Sequence, residues 1–309
     1  MQSTSQRQVT VALIIMAGIN MIWGMAFPIT KPALADVPPI SFAFWRFVVS
    51  LCVMLPLAWR ATWELLLGPA RKQLFIMGML GFSITQITQV YALYLSPATH
   101  IALMSTTTPL WVAILATWWL KEPFTRRMQL GTAIALIGVI IVLNPSDGLS
   151  RDWRTWLGYA IYLISATGWA AYNVLGRDMM QRHAPLPTTA AAATIGVICL
   201  LPFAVLEYAL GMPTRITAPM LFGVFYTGLL VTVVGYLTLF WALTKTTSGN
   251  VAAMMYFQPI AGAALAWVWL NEQQPPAFFI GSVLTFMGVW LVIGQKAQAS
   301  DPAPAAKHG

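Results

Sequence analysis

Long apolar runs, separated by short stretches rich in charge, Pro or Gly, dominate this sequence. Most runs are about 20 residues long, which is the length of an α-helix that crosses the hydrocarbon core of a bilayer. A soluble fold would have to bury every one of them inside a protein core. The pattern therefore predicts membrane-spanning helices near residues 11–31, 40–59, 73–95, 98–120, 128–144, 157–177, 187–209, 217–243, 249–270 and 277–295.

The composition supports an all-α integral membrane protein of ten transmembrane helices. Hydrophobic residues make up 58% of the 309 residues and charged residues 8%, whereas roughly 25% of the residues of an ordinary soluble domain are charged. Ten helices occupy most of the chain and leave no room for a soluble domain. We expect a tail over 1–10, five helices over 11–144, an external loop over 145–156, five helices over 157–295 and a tail over 296–309. Both tails are polar or rich in Ala and Pro, which predicts disordered ends.

The distribution of Lys and Arg predicts the orientation in the membrane. If the N-terminus is cytoplasmic, twelve Lys and Arg residues fall in cytoplasmic segments, and only Lys31, Arg151, Arg154 and Arg215 fall outside. Positive charge is retained on the cytoplasmic side of a membrane. We therefore expect both termini in the cytoplasm, and a bacterial-type inner membrane. Because the basic residues lie between apolar runs rather than in one stripe, they do not indicate nucleic-acid binding.

The sequence contains an internal repeat. Residues 91–143 align without a gap to 241–293, 150 positions later, with 15 identities in 53 positions. The matched pairs include Pro109 with Pro259 and Glu122 with Glu272. A weaker match at an offset of 146 pairs Trp23 with Trp169.

Each predicted half has five helices, so the second half enters the membrane in the opposite sense to the first. The loops agree, because residues 121–127 (KEPFTRR) are basic whereas residues 271–277 (NEQQPPA) carry no positive charge. Inverted repeats are typical of secondary transporters, whose substrate sites lie near the bilayer midplane between the halves.

At these residues the sequence resembles the drug/metabolite transporter superfamily, and within it the EamA branch of ten-helix proteins. The resemblance rests on residues 22–28 (IWGMAFP), 45–47 (WRF) and 119–122 (WLKE), and on Pro109, with the pattern recurring through Pro259, Glu272 and Gly281. It implies transport without ATP, often export of amino acids or related metabolites, at a central site between the halves. It does not name a substrate.

Two polar stripes related by the repeat are the first candidates for that site. An α-helical spacing places each stripe on one helix face directly before a proline, which frees a backbone carbonyl one turn earlier. The alternative is that these side chains only bond across helices. The stripes are His100, Met104 and Thr108 before Pro109, and Asn250, Met254 and Gln258 before Pro259.

Aromatic and amide residues inside the runs are further candidates. Aromatic side chains at mid-span suit a cavity that stacks on apolar substrates, although packing against lipid is the alternative. The candidates are Trp23, Trp169, Tyr256, Asn173, Gln86, Gln89 and Asn20.

Arg46 is the one clearly intramembrane charge of the predicted spans. A central arginine costs at least 2.5–3.5 kcal/mol, so it faces protein, water or a headgroup. Pairing within the bundle and capture of a substrate carboxylate both stay open.

The sequence predicts no enzyme, cofactor or metal site, because it has no Walker motif, no HExxH and no histidine pair at metal spacing. The expected partners are the lipid bilayer and a small organic substrate, with no nucleic acid, and a homodimer is left open. An importer, a carrier of sugar-linked or phosphorylated compounds, and a non-transporting membrane scaffold or sensor remain alternatives. Glu122 and Glu272, at helix ends, are expected to be solvated or to cap helices.

Overall fold

The computed structural model describes residues 2–120, 126–143, 152–212, 214–246, 251, 254–272 and 276–293. Within these ranges the chain is helical and has no β-strand. The helices are α1 (Gln2–Ala33), α2 (Pro39–Leu67), α3 (Arg71–Gly78), α4 (Thr85–Leu95), α5 (Ala98–Met104), α6 (Thr108–Leu120), α7 (Arg126–Leu143), α8 (Trp153–Arg182), α9 (Pro185–Ala209), α10 (Ala218–Phe225), α11 (Gly235–Leu243), α12 (Phe257–Leu270) and α13 (Pro276–Ile293).

The helices follow the apolar runs, with the largest differences at the start of α1 and the end of α2. Helix α1 begins at Gln2, nine residues before the expected start near residue 11. Helix α2 continues beyond the expected end to Leu67, across a kink at Ala58 (φ −139°, ψ 26°), two residues after Pro56, whose missing N–H interrupts the helical hydrogen bonds. The expected tail at 296–309 and most of the loop at 145–156 lie outside the described residues.

Interruptions of the helices recur at corresponding places in the two halves. A π-helical turn joins α3 to α4 over Met79–Ile84, and another joins α10 to α11 over Tyr226–Val234. A 3₁₀ turn precedes α6 over Ser105–Thr107, and another precedes α12 over Met254–Tyr256. Each pair is separated by close to the 150 positions of the sequence repeat, so the duplication extends to local backbone structure.

Proline accounts for the 3₁₀ turns. A proline in a helix leaves the carbonyl four residues earlier without its donor, and Pro109 does this to Ser105. The tighter turn repairs the loss, because the Thr108 N–H donates to the Ser105 carbonyl. The same arrangement of a 3₁₀ turn before a proline occurs at Pro259.

Helices of the first half pack mainly on helices of the second. The closest pairs are α1 with α12, α2 with α9, α4 with α8, and α7 with α13. The α7–α13 contact uses small residues: an ideal Cβ at Gly138 would lie 2.5 Å from the Gly281 carbonyl oxygen, and one at Gly288 would collide with Gly131 and Ala135. These glycine faces therefore let the two repeats pack closely together.

The exterior is apolar over wide areas. Leu57, Trp118 and Val268 are each at least 70% exposed, whereas soluble monomers rarely expose large continuous apolar patches. Five helical stretches of the described chain are long and apolar enough to cross a membrane: Arg7–Ala33, Pro39–Leu67, Arg71–Leu95, Pro185–Ala209 and Ala218–Leu243.

Candidate functional site

A cavity lies where the interrupted helices of the two halves meet. It offers about 80 Å³ to the centre of a water-sized sphere, which is room for on the order of six water molecules. Thr30 and Leu93, within about one turn of the ends of α1 and α4, also line it, so it extends toward that end of the bundle. Seven of the sequence-predicted residues line it: Trp23, Arg46, Gln86, Gln89, Thr108, Trp169 and Gln258.

An aromatic cluster forms one wall. The repeat mates Trp23 and Trp169 meet edge to face, with ring centroids 5.9 Å apart, and Trp169 stacks on Tyr172 at 5.2 Å. Tyr236 lies 6.1 Å from Trp23 and 5.1 Å from Trp169. Such contacts hold aromatic rings in fixed positions. The cavity therefore presents a rigid apolar surface to a ligand.

The orientation of Trp23 depends on the π turn between α10 and α11. Its indole N–H donates to the carbonyl of Val231 at 3.0 Å, within that turn. Gly235 makes room for the ring, since a Cβ there would collide with the indole nitrogen. Because Val231 belongs to the other half of the chain, this bond joins the halves at the cavity wall.

Amides line the region near the second 3₁₀ turn. Gln258 Nε2 donates to Asn20 Oδ1 at 2.7 Å, and Asn20 Nδ2 donates to the Met16 carbonyl at 2.7 Å. Gln258 and Thr108 are 8% and 4% exposed. The two repeat-related helices α6 and α12 thus each contribute a polar side chain at the point where a 3₁₀ turn becomes an α-helix.

Arg46 contributes positive charge to the cavity. It is 4% exposed. Its Nη1 donates to Gln86 Oε1 at 3.0 Å and its Nη2 to Thr232 Oγ1 at 3.3 Å, while Nε has no hydrogen-bond partner among the described residues. The guanidinium also lies over the Phe47 ring, 4.7 Å from its centroid. These partners are neutral, so they leave the charge itself uncompensated.

Five predicted residues are not among those that line the cavity, and one of them, Asn20, is the buried partner of Gln258. His100 contacts the Tyr159 hydroxyl through Nδ1, and Asn173 Nδ2 bonds back to the Trp169 carbonyl of its own helix. Met104 is buried in the core. Met254 packs against that core, and its neighbour Met255 faces the cavity instead. The 3₁₀ turns displace both methionines, because a stripe drawn at α-helical spacing loses its register where the helix tightens.

Two predicted residues cannot be placed. Asn250 lies outside the described residues, as does the side chain of Tyr256.

Several cavity residues were not among the sequence candidates. Tyr162 and Ser165 come from α8, Ser105 from the first 3₁₀ turn, and Tyr236 from the start of α11. For two of these residues, the sequence did contain a signal. Tyr162 precedes Trp169 by seven residues and so shares its helix face, and Tyr236 stands 150 positions after Gln86.

Two carboxylates, the buried Glu207 and the part-buried Glu272, cap helices at the end of the bundle toward which the cavity extends. Glu207 accepts from the N–H groups of Ile40 and Ser41 at 3.1 and 2.7 Å, at the start of α2. Glu272 accepts from the N–H groups of Ala98 and Thr99, both at 3.0 Å, at the start of α5. Each carboxylate satisfies orphan donors and the positive end of a helix dipole. The expected capping role of Glu272 is thereby confirmed.

The helices of the two halves interlock, their exterior is apolar, and they enclose a small cavity lined by aromatic and polar side chains. These features are typical of a membrane protein that binds small molecules. The chain matches the EamA-like transporter family twice, over residues 10–144 and 156–294. It belongs to this family, in agreement with the resemblance seen in the sequence. The two matches coincide with the two halves of the repeat, so each half is one copy of the family unit.

The similar proteins are transporters by name. An uncharacterized transporter of Archaeoglobus fulgidus is 27% identical over 92% of this chain and 98% of its own length. A probable amino-acid metabolite efflux pump of Escherichia coli is 23% identical over 88% and 91%. A probable terminal-alkyne amino-acid exporter of Streptantibioticus cattleyicolor is 24% identical over 74% and 76%. A solved crystal structure superposes with a TM-score of 0.66 at 15% identity, over 94% of this chain and 99% of that chain, which shows the fold alone.

Proposed function

We propose that this protein is a secondary transporter that exports small organic metabolites, amino acids or their close relatives, across a bacterial-type inner membrane. The cavity is the substrate site, and the two halves expose it to either side in turn. The observation that carries this proposal is the position of the cavity, which is lined by both copies of the family unit. Two relatives named as an efflux pump and an exporter support the outward direction.

Residues at corresponding positions of the two halves contact each other at the cavity, which favours alternating access. Trp23 touches Trp169, and Gln86 Nε2 lies 3.4 Å from the hydroxyl of Tyr236, its counterpart at an offset of 150. Residues related by a pseudo-two-fold axis meet where that axis passes. A site on such an axis can open to one side through one half and to the other side through its mate.

The proposed topology has ten membrane spans, two inverted halves and both termini in the cytoplasm. It is tested by single cysteines at Arg126 and Pro276, exposed repeat mates at the starts of α7 and α13. In a background in which Cys52 and Cys199 are replaced, R126C should react with an impermeant maleimide only after the inner face is opened. P276C should react in intact cells, and Gln8→Cys should behave like R126C. Labelling of R126C and P276C from one side would contradict the inversion.

The transport proposal is tested by flux in proteoliposomes, with a panel of labelled amino acids and their deaminated and acylated relatives. We expect saturable flux for at least one compound. Gln258→Ala should raise its apparent KM about tenfold, since removing the amide leaves buried Asn20 Oδ1 unpaired and takes a polar group from the cavity. Asn173→Ala is the matched control, because in the described part of the chain the Asn173 side chain bonds to the Trp169 carbonyl of its own helix, and its KM should not change. No saturable flux for any compound would contradict the proposal.

A further inference from the structure

The charge of the cavity is unbalanced. Arg46 is the charged residue among those lining it in the described part of the chain, and no described carboxylate bonds to it. Acidic groups at the end of the bundle toward which the cavity extends are already engaged: Glu207 with the start of α2, Glu272 with the start of α5, and Asp36 with the Thr217 hydroxyl at 2.7 Å. The cavity therefore has an excess of one positive charge in surroundings that screen it poorly.

The guanidinium is held in place by neutral groups. Gln86 accepts from it, and the amide nitrogen of Gln86 is itself held near the Gly81 carbonyl at 3.3 Å and the Tyr236 hydroxyl at 3.4 Å. Two of the five N–H donors of Arg46 have protein partners. A planar donor group with unused N–H bonds matches the two oxygens of a carboxylate. Arg46 is thus both pre-oriented and incompletely satisfied.

Building on the proposed function, we infer that Arg46 selects substrates with one carboxylate and no protonated amine, such as 2-oxo acids with an apolar or aromatic body. Such a ligand balances the charge of the cavity and places its carbon skeleton against Trp23, Trp169 and Tyr236. Burial of an ion is costly unless it is paired. One carboxylate pairs with one guanidinium, so the occupied cavity carries no net charge.

Other charge types fit less well. A zwitterionic amino acid adds an ammonium that finds no carboxylate among the described lining residues, and must lose its hydration to enter. A cationic amine meets the same lack and is repelled by Arg46. A phosphorylated compound leaves a negative charge unpaired. Neutral acceptors and aromatic faces compensate an ammonium only in part.

The test uses the full-length protein in proteoliposomes and three probes with one carbon skeleton: 4-methyl-2-oxopentanoate, leucine and leucinamide. Counterflow of labelled 4-methyl-2-oxopentanoate is measured against each unlabelled compound. We expect the 2-oxo acid to compete at least tenfold better than leucine, and leucinamide not to compete. Equal or better competition by leucine or leucinamide would overturn the inference while leaving the transport proposal intact. Absence of saturable flux for the 2-oxo acid, with saturable flux for another compound of the wider panel, would overturn the inference alone. Absence of saturable flux for the three probes and for the whole panel would overturn both.

Variants of Arg46 provide a second measurement. Arg46→Gln should lower the affinity for 4-methyl-2-oxopentanoate at least tenfold and remove its advantage over the neutral amide of the same acid. Arg46→Lys keeps the charge but loses the planar donor group, and should retain part of that advantage. Arg60→Gln, at an exposed site on the same helix, should change neither. A folded Arg46→Gln protein, verified by its elution as a monodisperse species, that keeps the full advantage would overturn the inference.

Discussion

Replacement of Gly24 by alanine is expected to remove most of the folded protein. Gly24 lies where α1 crosses α12, and a Cβ there would lie within 3 Å of the backbone carbonyl group and Cα of Gln258. Backbone atoms next to Pro259 cannot move aside as the end of a flexible side chain would. Relief requires the two helices to separate, which uncovers packed surface in both halves and costs several kcal/mol.

The matched control is Gly18→Ala on the same helix. A Cβ at Gly18 meets nothing within 4 Å, and alanine is a better helix former by about 1 kcal/mol in soluble hosts. The yield of monodisperse protein in detergent and the midpoint of its thermal unfolding should fall sharply for G24A and stay level or rise for G18A. A G24A protein as stable as the wild type would show that α1 and α12 do not cross as closely as described.

Replacement of Glu207 by alanine should destabilise the protein by about 3 kcal/mol. Its carboxylate accepts from the N–H groups of Ile40 and Ser41 and from the Ser41 hydroxyl at 2.8 Å. Removing it leaves donors at the start of α2 unsatisfied in a buried position, next to the Tyr91 hydroxyl, which also donates to Glu207. Glu207→Gln keeps one acceptor oxygen and should lose less.

Chemical denaturation in detergent measures this loss, with Glu64→Ala as the control. Glu64 is exposed on α2, so its removal should change the free energy of unfolding by less than 0.5 kcal/mol. Equal losses for E207A and E64A would mean that the cap contributes nothing beyond an ordinary surface carboxylate.

The helices could be predicted from the sequence because the length of each apolar run is visible without any knowledge of its neighbours in the fold. The start of α5, the end of α6 and both ends of α9 agree with those expected to within about two residues. The start of α1 was misjudged for the same reason. Its polar first residues carry no apolar signal, yet they continue a helix that is already nucleated further along the chain.

The cavity was only partly predictable. Trp23, Thr108 and Gln258 were found through the repeat, since duplicated polar or aromatic residues within apolar runs are rare. Met104 was misplaced and Met255 overlooked because the local pitch changes in the 3₁₀ turns, and a proline signals such a change without giving its register. The backbone N–H groups that Glu207 caps stand more than 160 positions away in the chain, and no local pattern relates a carboxylate to the helix start that it caps.

The close contact of α7 with α13 bears on biosynthesis. The glycine face of α7 is complete once the first half has been synthesised, but the surface that covers it belongs to the last described helix, α13. A nascent chain inserts from its N-terminus, so α7 must remain with its narrow face uncovered until α13 has been synthesised. A chain that terminates before α13 therefore leaves that face open, and the close packing that joins the two halves at α7 is lost.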